Sequence, residues 1–382
     1  MTYKNIILLG ATGSIGTSTL NLIRKKREKF NLIGVSTYEK TEQLKLISKE
    51  FNVKNVCFFK NDQGTIFDKG IKVMKGRQGL LELASLNCDI VVSGISGLAG
   101  LMPAYMALNN GNNIAIANKE PLVVAGNILI ECSKKNNVKI LPVDSEHNSI
   151  FQCFDNNLRE NVSHITLTAS GGPFLYRSLN SFKEISTEEA LKHPKWKMGK
   201  KISIDSATLI NKALEVIEAG FLFELRSNQI NVVIHPESII HGLVHYKDGS
   251  VLANLALPDM ISPLSVAIGY PERYNLDLPK LDLIEVSQLN FLKPDLKKFP
   301  GLNFGWHALN EPNCFSIVLN ASNEIAVDLF LKKRIKFTSI VEIIDKCLNE
   351  QKFNSANNLE ETLEIDKMSR ILAKKISEKF YV

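Results

Sequence analysis

Along the first 150 residues, short apolar runs typical of buried strands are followed in turn by segments with the apolar periodicity of helices. Short apolar runs that end in a loop or a helix pattern predict the strands of a parallel sheet. These predicted strands cover residues 5–9, 31–35, 56–59, 90–92, 114–117 and 138–143. Beyond residue 154 the pattern predicts strands at 162–168, 201–204 and 230–234 and a hairpin at 244–253. Helices are predicted there at 205–218, 317–331, 339–348 and 366–380.

Length and composition narrow the class of protein. A chain of 382 residues predicts two or three domains, and 45% hydrophobic with 23% charged residues is ordinary for globular proteins. The net charge of +6 comes from dispersed lysines, which suits small anionic ligands and argues against a nucleic-acid surface. No apolar run approaches the ~20 residues that cross a bilayer, and the six cysteines lack zinc-module spacing. We therefore expect a cytoplasmic protein with reduced thiols that binds neither nucleic acid nor membrane.

A glycine-rich turn follows the first predicted strand. Gly10, Gly13 and Gly16 are spaced G-x-x-G-x-x-G, and a helix pattern follows them. This order is typical of dinucleotide folds, in which the amides of a helix start bind a pyrophosphate. A tight turn without a ligand is the alternative.

The end of the second predicted strand bears on the choice of dinucleotide. NAD-binding proteins usually place Asp or Glu there to bind the ribose 2′-hydroxyl. This chain has Ser36 and Thr37, with Lys40 shortly after them. Hydroxyls and a cation suit a 2′-phosphate, so we expect NADPH, with Glu39 as an unfavourable neighbour.

Two acids follow the apolar run at 138–143. Asp144 and Glu146 flank Ser145 at a predicted strand-to-helix turn, where both carboxylates can point to one place. There they repel each other unless a proton or a cation lies between them, and a hard divalent ion is the natural occupant. A capping box that only satisfies the first amides of the helix is the alternative. Asn118, Lys119 and Glu120 follow the neighbouring predicted strand; an ordinary ion pair is the alternative for Lys119.

The second half of the chain holds three further candidate segments. The turn Ser170-Gly171-Gly172 suits an anion, and it is also a good turn without one. The predicted helix at 205–218 carries Ser206, Asn211 and Lys212, which suit a phosphate, and Glu215, which suits a metal. A solvated polar face is the default interpretation of these residues. The loop 193–199 contains Trp196, which either belongs to a lid or anchors the loop to the core.

Taken together, these segments resemble the 1-deoxy-D-xylulose 5-phosphate reductoisomerase family of the non-mevalonate isoprenoid pathway. The resemblance covers essentially the whole chain. It rests on residues 10–16, 117–120, 141–148, 170–174, 193–199, 201–215, 234–241 and 321–324. It implies an α/β protein with an N-terminal Rossmann-like doubly wound parallel sheet, a central α+β catalytic domain and a C-terminal α-helical domain. The expected ranges are 1–144 for NADPH binding, 145–270 for catalysis and dimerisation with a lid near 183–200, 271–300 for a linker and 301–382 for the helices.

The resemblance also implies residue roles. The metal ligands would be Asp144, Glu146 and Glu215, binding Mg²⁺ or Mn²⁺ with Co²⁺ as a further candidate. The catalytic residues would be Lys119, Glu146 and His193, and the substrate would contact Ser145, Glu146, Ser170, His193, Ser206, Asn211, Lys212 and Glu215. The cofactor would contact Thr12, Gly13, Ser14, Ile15, Lys40, Asn118, Glu120 and Gly199. The chain departs from the family at Tyr38-Glu39-Lys40, where a glycine, a basic residue and an asparagine are usual, and at Pro121, where a small residue is usual.

The implied reaction converts 1-deoxy-D-xylulose 5-phosphate into 2-C-methyl-D-erythritol 4-phosphate by rearrangement and reduction in a homodimer. An NADPH-dependent sugar-phosphate dehydrogenase without rearrangement is the rival enzyme. A dinucleotide-sensing regulatory protein, which needs no metal set and no lid, is the non-enzymatic rival.

Overall fold

The computed structural model describes residues 3–60, 64–196 and 198–382 of the protein. They form two compact units. The first contains Met1–Pro121, Leu129–Asn148 and Asp259–Pro279, and the second contains Leu122–Ile128, Ser149–Pro258 and Lys280–Val382. The four-part division expected from the sequence stays a prediction.

A seven-stranded parallel sheet forms the first unit. Its strands are β1 (Lys4–Leu9), β2 (Phe30–Thr37), β3 (Asn55–Phe58), β4 (Lys72–Lys75), β5 (Ile90–Ser93), β6 (Asn113–Ile116) and β7 (Ile140–Pro142). Their order is β4-β3-β2-β1-β5-β6-β7. The chain starts at the central strand β1 and adds β2, β3 and β4 toward one edge of the sheet. It then returns to the other side of β1 and adds β5, β6 and β7 toward the opposite edge. The central strand is buried throughout its apolar run, from Ile6 to Leu9. This is the doubly wound sheet that the alternating pattern predicts.

A four-stranded mixed sheet belongs to the second unit. Its strands are β8 (Val162–Ala169), β9 (Ile230–Ile234), β10 (Ile240–Tyr246) and β11 (Val251–Leu255), in the order β11-β10-β8-β9. Strands β10 and β11 pair antiparallel, which confirms the predicted hairpin, and β8 and β9 pair parallel.

Fifteen α-helices complete the described structure. They are α1 (Ser14–Lys25), α2 (Thr41–Glu50), α3 (Gly76–Ala84), α4 (Leu101–Asn109), α5 (Glu120–Lys135), α6 (Ser145–Cys153), α7 (Thr187–Ala190), α8 (Lys200–Thr208), α9 (Ile210–Leu222), α10 (Ile261–Gly269), α11 (Leu283–Val286), α12 (Asn303–Asn310), α13 (Cys314–Leu331), α14 (Ser339–Glu350) and α15 (Leu359–Ser377). Helix α13 is long and apolar enough to cross a membrane, but 67% of it is buried, and it packs against α14 and α15. It therefore has the burial of a core helix. All six cysteines are free thiols, as expected.

Two local predictions are wrong. The predicted strand at 201–204 is instead the first turn of α8, where Ser203 Oγ donates to Gly199 O at 3.0 Å and Lys201 Nζ lies 2.8 Å from Asp205 Oδ2. Both contacts join residues four apart, which only a helix brings together. The predicted single helix at 205–218 is divided between α8 and α9, because Leu209 adopts a left-handed backbone with φ of +57°.

Candidate active site

The glycine turn after β1 is shaped by close backbone approach. Gly10 has a φ of +80°, and a Cβ on it would lie 2.7 Å from Gly94 O, so only glycine fits. Its N–H donates to Ser36 Oγ at 3.0 Å, and the Ala11 N–H donates to Ser36 O at 2.7 Å. The turn is thereby tied to the end of β2.

Helix α1 begins directly above this turn. Its N-cap residue is Gly13, which has no side chain to satisfy the first amides, and the first turn holds no acidic residue. A Cβ on Gly16 would overlap the backbone of Gly10 and Ala11. Thr12 Oγ1 lies 2.7 Å from Thr37 Oγ1, which adds a second tie to β2. Free amides and a positive dipole end fit a dinucleotide pyrophosphate, with Ser14 and Ile15 in the first turn of α1.

The carboxyl ends of β6 and β7 bring a lysine and an acid together. Ile116 pairs with Pro142 in the sheet, and Lys119 and Asp144 follow these strands closely. Lys119 Nζ lies 2.6 Å from Asp144 Oδ2, and the two side chains are 6% and 11% exposed. Burial alone would raise the pKa of the Asp144 carboxyl, but the Lys119 ammonium and the His147 ring hold that pKa well below its usual value. Asp144 is therefore a largely buried carboxylate with a cation beside it.

Glu146 stands close to Asp144. A carboxylate oxygen of Glu146 lies within 4.8 Å of one of Asp144, and Ser145 Oγ donates to Glu146 Oε2 at 2.6 Å. Helix α6 starts at Ser145, so a strand end and a helix start converge here, as expected. Two neighbouring, partly desolvated carboxylates are the donor chemistry that a hard divalent ion takes. These residues of the first unit thus fit a magnesium-type ion.

Two expected cofactor residues line the same sheet edge. Asn118 Nδ2 donates to Gly97 O at 3.1 Å, and Ser93 Oγ donates to Asn118 Oδ1 at 3.4 Å. Asn118 thereby connects the loops that follow β5 and β6. Glu120 is the buried first residue of α5, with Pro121 next to it in the first turn. Lys40, the residue before α2, is exposed.

The Ser-Gly-Gly turn after β8 packs onto α8. Gly172 has a φ of +67°, and a Cβ on it would lie 2.8 Å from Ser206 O. Ser170 Oγ accepts from the Gly172 N–H at 3.2 Å. The turn and Ser206 of α8 therefore lie close together, as a shared anion site requires.

His193 contacts the same serine. His193 Nδ1 accepts the backbone N–H groups of Lys195 at 3.2 Å and Trp196 at 2.9 Å, so the proton lies on Nε2, which is 3.0 Å from Ser170 Oγ. Ser170 Oγ then accepts two hydrogen bonds, and its own O–H is left to donate to an anion. Burial lowers the pKa of His193 to about 4, so the ring is neutral at neutral pH.

The start of α9 gathers the other expected anion ligands. Asn211 Nδ2 and Lys212 Nζ both donate to the Glu215 carboxylate in short contacts. Lys212 and Glu215 are 3% and 1% exposed, so this is a buried ion pair. Lys212 and Glu215 therefore do not form the solvated polar face of the default interpretation, whereas Asn211 is partly exposed.

The loop before α8 contains the predicted lid, with anchoring of Trp196 to the core as the alternative. The Trp196 ring meets the His241 ring edge-on, with centroids 6.1 Å apart, so in the described structure the tryptophan contacts β10. Gly199 is the N-cap of α8. Lys197, inside the predicted lid, lies outside the described residues.

One contact in the second unit has no counterpart among the sequence-based expectations. Asn323 Nδ2 of α13 donates to Asp205 Oδ1 at 2.9 Å, and both residues are fully buried. Asp205 precedes Ser206, so α13 holds the segment of α8 that carries an expected phosphate ligand. Asn323 lies in the segment 321–324 that supports the resemblance, and that was the available signal.

Comparison with protein families gives three matches. The model described as 1-deoxy-D-xylulose 5-phosphate reductoisomerase matches residues 6–126. The model of the C-terminal domain of that enzyme matches residues 140–223, and a second model, described as the DXP reductoisomerase C-terminal domain, matches residues 255–372.

Individual relatives agree with these matches. The 1-deoxy-D-xylulose 5-phosphate reductoisomerase of Clostridium tetani is 46% identical over 385 residues, covering 99% of this chain and 100% of the relative. That of Clostridium botulinum strain 657 is 45% identical over 375 residues, covering 96% and 97%. The solved enzyme from Zymomonas mobilis in complex with NADPH has a TM-score of 0.92 at 36% identity, covering 99% of this chain and 100% of that one. A DOX-P reductoisomerase in complex with NADPH, fosmidomycin and magnesium has a TM-score of 0.92 at 39% identity, covering 98% of each chain.

Proposed function

The chain belongs to the 1-deoxy-D-xylulose 5-phosphate reductoisomerase family, and from this premise we propose a reaction and a role for each site residue. The protein rearranges and reduces 1-deoxy-D-xylulose 5-phosphate to 2-C-methyl-D-erythritol 4-phosphate, with NADPH and a divalent metal ion, in isoprenoid precursor biosynthesis. The observation that carries this proposal is the carboxylate pair of Asp144 and Glu146 beside buried Lys119, at the ligand-binding edge of a dinucleotide sheet.

The metal set is Asp144, Glu146 and Glu215. All three are carboxylates, which favour Mg²⁺ or Mn²⁺, with Co²⁺ as a further candidate. The bound ion supplies Lewis acidity toward the substrate carbonyl and its neighbouring hydroxyl, and the bound NADPH supplies the hydride. The burial of Glu215 and the 11% exposure of Asp144 support this set, because water competes poorly with a ligand there.

Lys119 contacts the reacting oxygens of the substrate. Negative charge develops on these oxygens when the carbon–carbon bond breaks and re-forms. A buried ammonium stabilises such charge more strongly than an exposed one, because the surrounding dielectric is low. Its 6% exposed side chain supports this role.

The substrate phosphate binds in the second unit. Its ligands are Ser170, Ser206, Asn211 and Lys212, while Ser145 and His193 lie along the sugar. Neutral His193 keeps Ser170 oriented as a donor. Binding of this remote group helps to align the reacting carbons and to close the loop at 193–199.

The dinucleotide binds along the carboxyl edge of the parallel sheet. Ser14 and Ile15 offer amides to the pyrophosphate, because the first turn of α1 has no competing acid, and Gly13, the N-cap, lets the pyrophosphate approach them because it has no side chain. The remaining cofactor residues of the proposal are Thr12, Lys40, Asn118, Glu120 and Gly199. We further propose that the protein is cytoplasmic and forms a homodimer. Light scattering of the purified protein would test the dimer, and fractionation of cells would test the location.

One assay tests the reaction. NADPH oxidation is followed with 1-deoxy-D-xylulose 5-phosphate, with and without EDTA, and the product is examined by NMR. We expect oxidation that stops with the chelator, returns with Mg²⁺, and yields a branched carbon. A straight-chain product would instead identify a sugar-phosphate dehydrogenase, and NADPH binding without turnover would identify a sensor.

A further inference from the structure

The carboxyl ends of β2 and β3 form a surface beside the glycine turn. Thr37 pairs with Phe58 in the sheet, and each strand continues into an exposed segment. Tyr38-Glu39-Lys40 follows β2, and Phe59-Lys60 follows β3. Residues 61–63 lie outside the described residues.

The strand-end hydroxyls are buried against the glycine turn and are not exposed to a ligand at the surface. Ser36 Oγ accepts the Gly10 N–H, Thr37 Oγ1 bonds to Thr12 Oγ1, and both residues are buried. Their side chains therefore hold the glycine turn. A 2′-phosphate next to this turn needs other partners, because a dianion is stable only with charged or strong hydrogen-bond donors beside it.

Lysine side chains supply that charge. Lys60 Nζ lies 3.0 Å from Glu39 Oε2, and the two side chains are 62% and 54% exposed. An exposed pair of this kind contributes only about 0–1 kcal/mol to folding. It can therefore open for a ligand without disturbing the fold. Lys40, next in sequence to Glu39, is also exposed.

An aromatic pair neighbours these charged residues in sequence. The rings of Tyr38 and Phe59 stack with centroids 5.5 Å apart and an interplanar angle of 16°, and both residues are exposed. Stacked, solvent-exposed rings offer a flat apolar face to a nucleobase. Exposed aromatic faces with exposed lysines next to them in sequence match the chemistry of the adenine and the 2′-phosphate of one nucleotide.

We propose that Lys60, with Lys40, binds the 2′-phosphate of NADPH, and that Glu39 sets the preference between NADPH and NADH. With Lys60 present, Glu39 is neutralised and the site accepts a dianion. Without Lys60, Glu39 repels the 2′-phosphate but can accept a hydrogen bond from the 2′-hydroxyl of NADH. This inference rests on the NADPH dependence of the proposed function.

Binding measurements on the full chain test it without turnover. Dissociation constants of NADPH and NADH are measured by fluorescence titration, and those of adenosine 2′,5′-bisphosphate and AMP by calorimetry. We expect Lys60→Ala to weaken NADPH and the bisphosphate by about tenfold, the effect of roughly one lost charged contact. AMP should be unchanged and NADH unchanged or tighter, and Glu39→Gln in the same background should restore part of the NADPH affinity.

Lys72→Ala is the matched control. Lys72 also forms an exposed pair with a glutamate, Glu82, but it starts β4 and so lies at the opposite end of the strands. The NADPH affinity of the Lys72→Ala variant should equal that of the wild type. Wild-type NADPH affinity in Lys60→Ala, or equal losses for AMP and the bisphosphate, would overturn the inference. A wild-type chain that binds no NADPH at all would overturn the proposed function itself.

Discussion

Lys119 Nζ and Asp144 Oδ2 are 2.6 Å apart in a nearly buried ion pair. The ammonium therefore already stabilises a carboxylate that we propose as a metal ligand. In the second unit, Lys212 is placed in the same way against Glu215. In both units a lysine proposed to contact the substrate also pairs with a proposed metal ligand, and for Asp144 the lowered pKa keeps the acid ionised before an ion arrives.

Replacing Lys119 by methionine tests how far this lysine compensates the charge of Asp144 when no substrate is bound. In protein treated with EDTA, we expect Lys119→Met to lower the free energy of unfolding by about 3 kcal/mol, because Asp144 stays buried without its main counter-charge. Added Mg²⁺ should recover much of that loss, since an ion that binds only the folded state stabilises it. Urea unfolding measures both values, with exposed Lys139→Met as control. An equal response to Mg²⁺ in variant and wild type would contradict the shared metal and lysine site.

Glu215→Gln tests the third proposed metal ligand. It preserves the volume of the side chain and removes its charge, so we expect Mn²⁺ affinity and turnover to fall on the order of a hundredfold. Calorimetry with Mn²⁺ and steady-state rates check this, and NADPH affinity should stay within about twofold. Exposed Glu364→Gln on α15 should behave as the wild type. Wild-type metal affinity would remove Glu215 from the set.

His193 predicts a pH dependence of stability. Its folded-state pKa is about 4 because of burial, whereas an unfolded histidine titrates near ~6.5. Between these values the unfolded chain binds more protons, so unfolding becomes easier as pH falls from about 6.5 toward 4. His193→Gln should lose less unfolding free energy across this pH window than the wild type does. The control His307→Gln, at an exposed site, should lose as much as the wild type. Parallel urea midpoints for His193→Gln and wild type would contradict the assignment.

Gly172→Ala tests the close approach of the Ser-Gly-Gly turn to α8. The added Cβ meets Ser206 O, so we expect the turn to shift and the KM for the sugar phosphate to rise, with NADPH affinity unchanged. Gly249→Ala in the β10–β11 turn is the control, because Gly249 also has a positive φ but open space around it. The control should cost about 1 kcal/mol of folding free energy and leave KM alone. A similar KM in both variants would separate the turn from substrate binding.

Asn323→Leu tests whether α13 positions the phosphate segment. Buried Asp205 would lose a donor at 2.9 Å, so we expect a loss of about 1–3 kcal/mol in unfolding free energy and a raised KM with little change in NADPH affinity. Asn349→Leu on α14, which removes an exposed side-chain hydrogen bond, is the control. An unchanged KM would reduce Asn323 to a purely structural residue.

Much of the fold and the placement of the acids followed from local sequence rules. The rule that ligands bind beyond strand carboxyl ends placed Lys119 and Asp144 at one edge, and the structure has them in contact. Their distance in sequence did not matter, because β6 and β7 are neighbours in a parallel sheet.

Other features lack a local signal. The four residues 201–204 alternate in polarity over too short a span to separate strand from helix, and the contacts that settle the question form only in the helix. A leucine at positive φ has no signature of the kind that glycine gives. The contact between Asn323 and Asp205 joins positions 118 residues apart, which no periodicity reports.

The reversed backbone at Leu209 has one more consequence. On an uninterrupted helix, Ser206 and Asn211 would point about 140° apart around the axis and could not grip one phosphate. Because the break at Leu209 separates α8 from α9, the rotation of α9 about its axis is independent of α8. The angle between Ser206 and Asn211 is therefore not fixed at about 140°. The arrangement of the proposed phosphate ligands thus depends on the backbone torsion of one aliphatic residue. We expect a ligand that forced Leu209 into helical geometry to abolish phosphate binding without contacting a polar side chain.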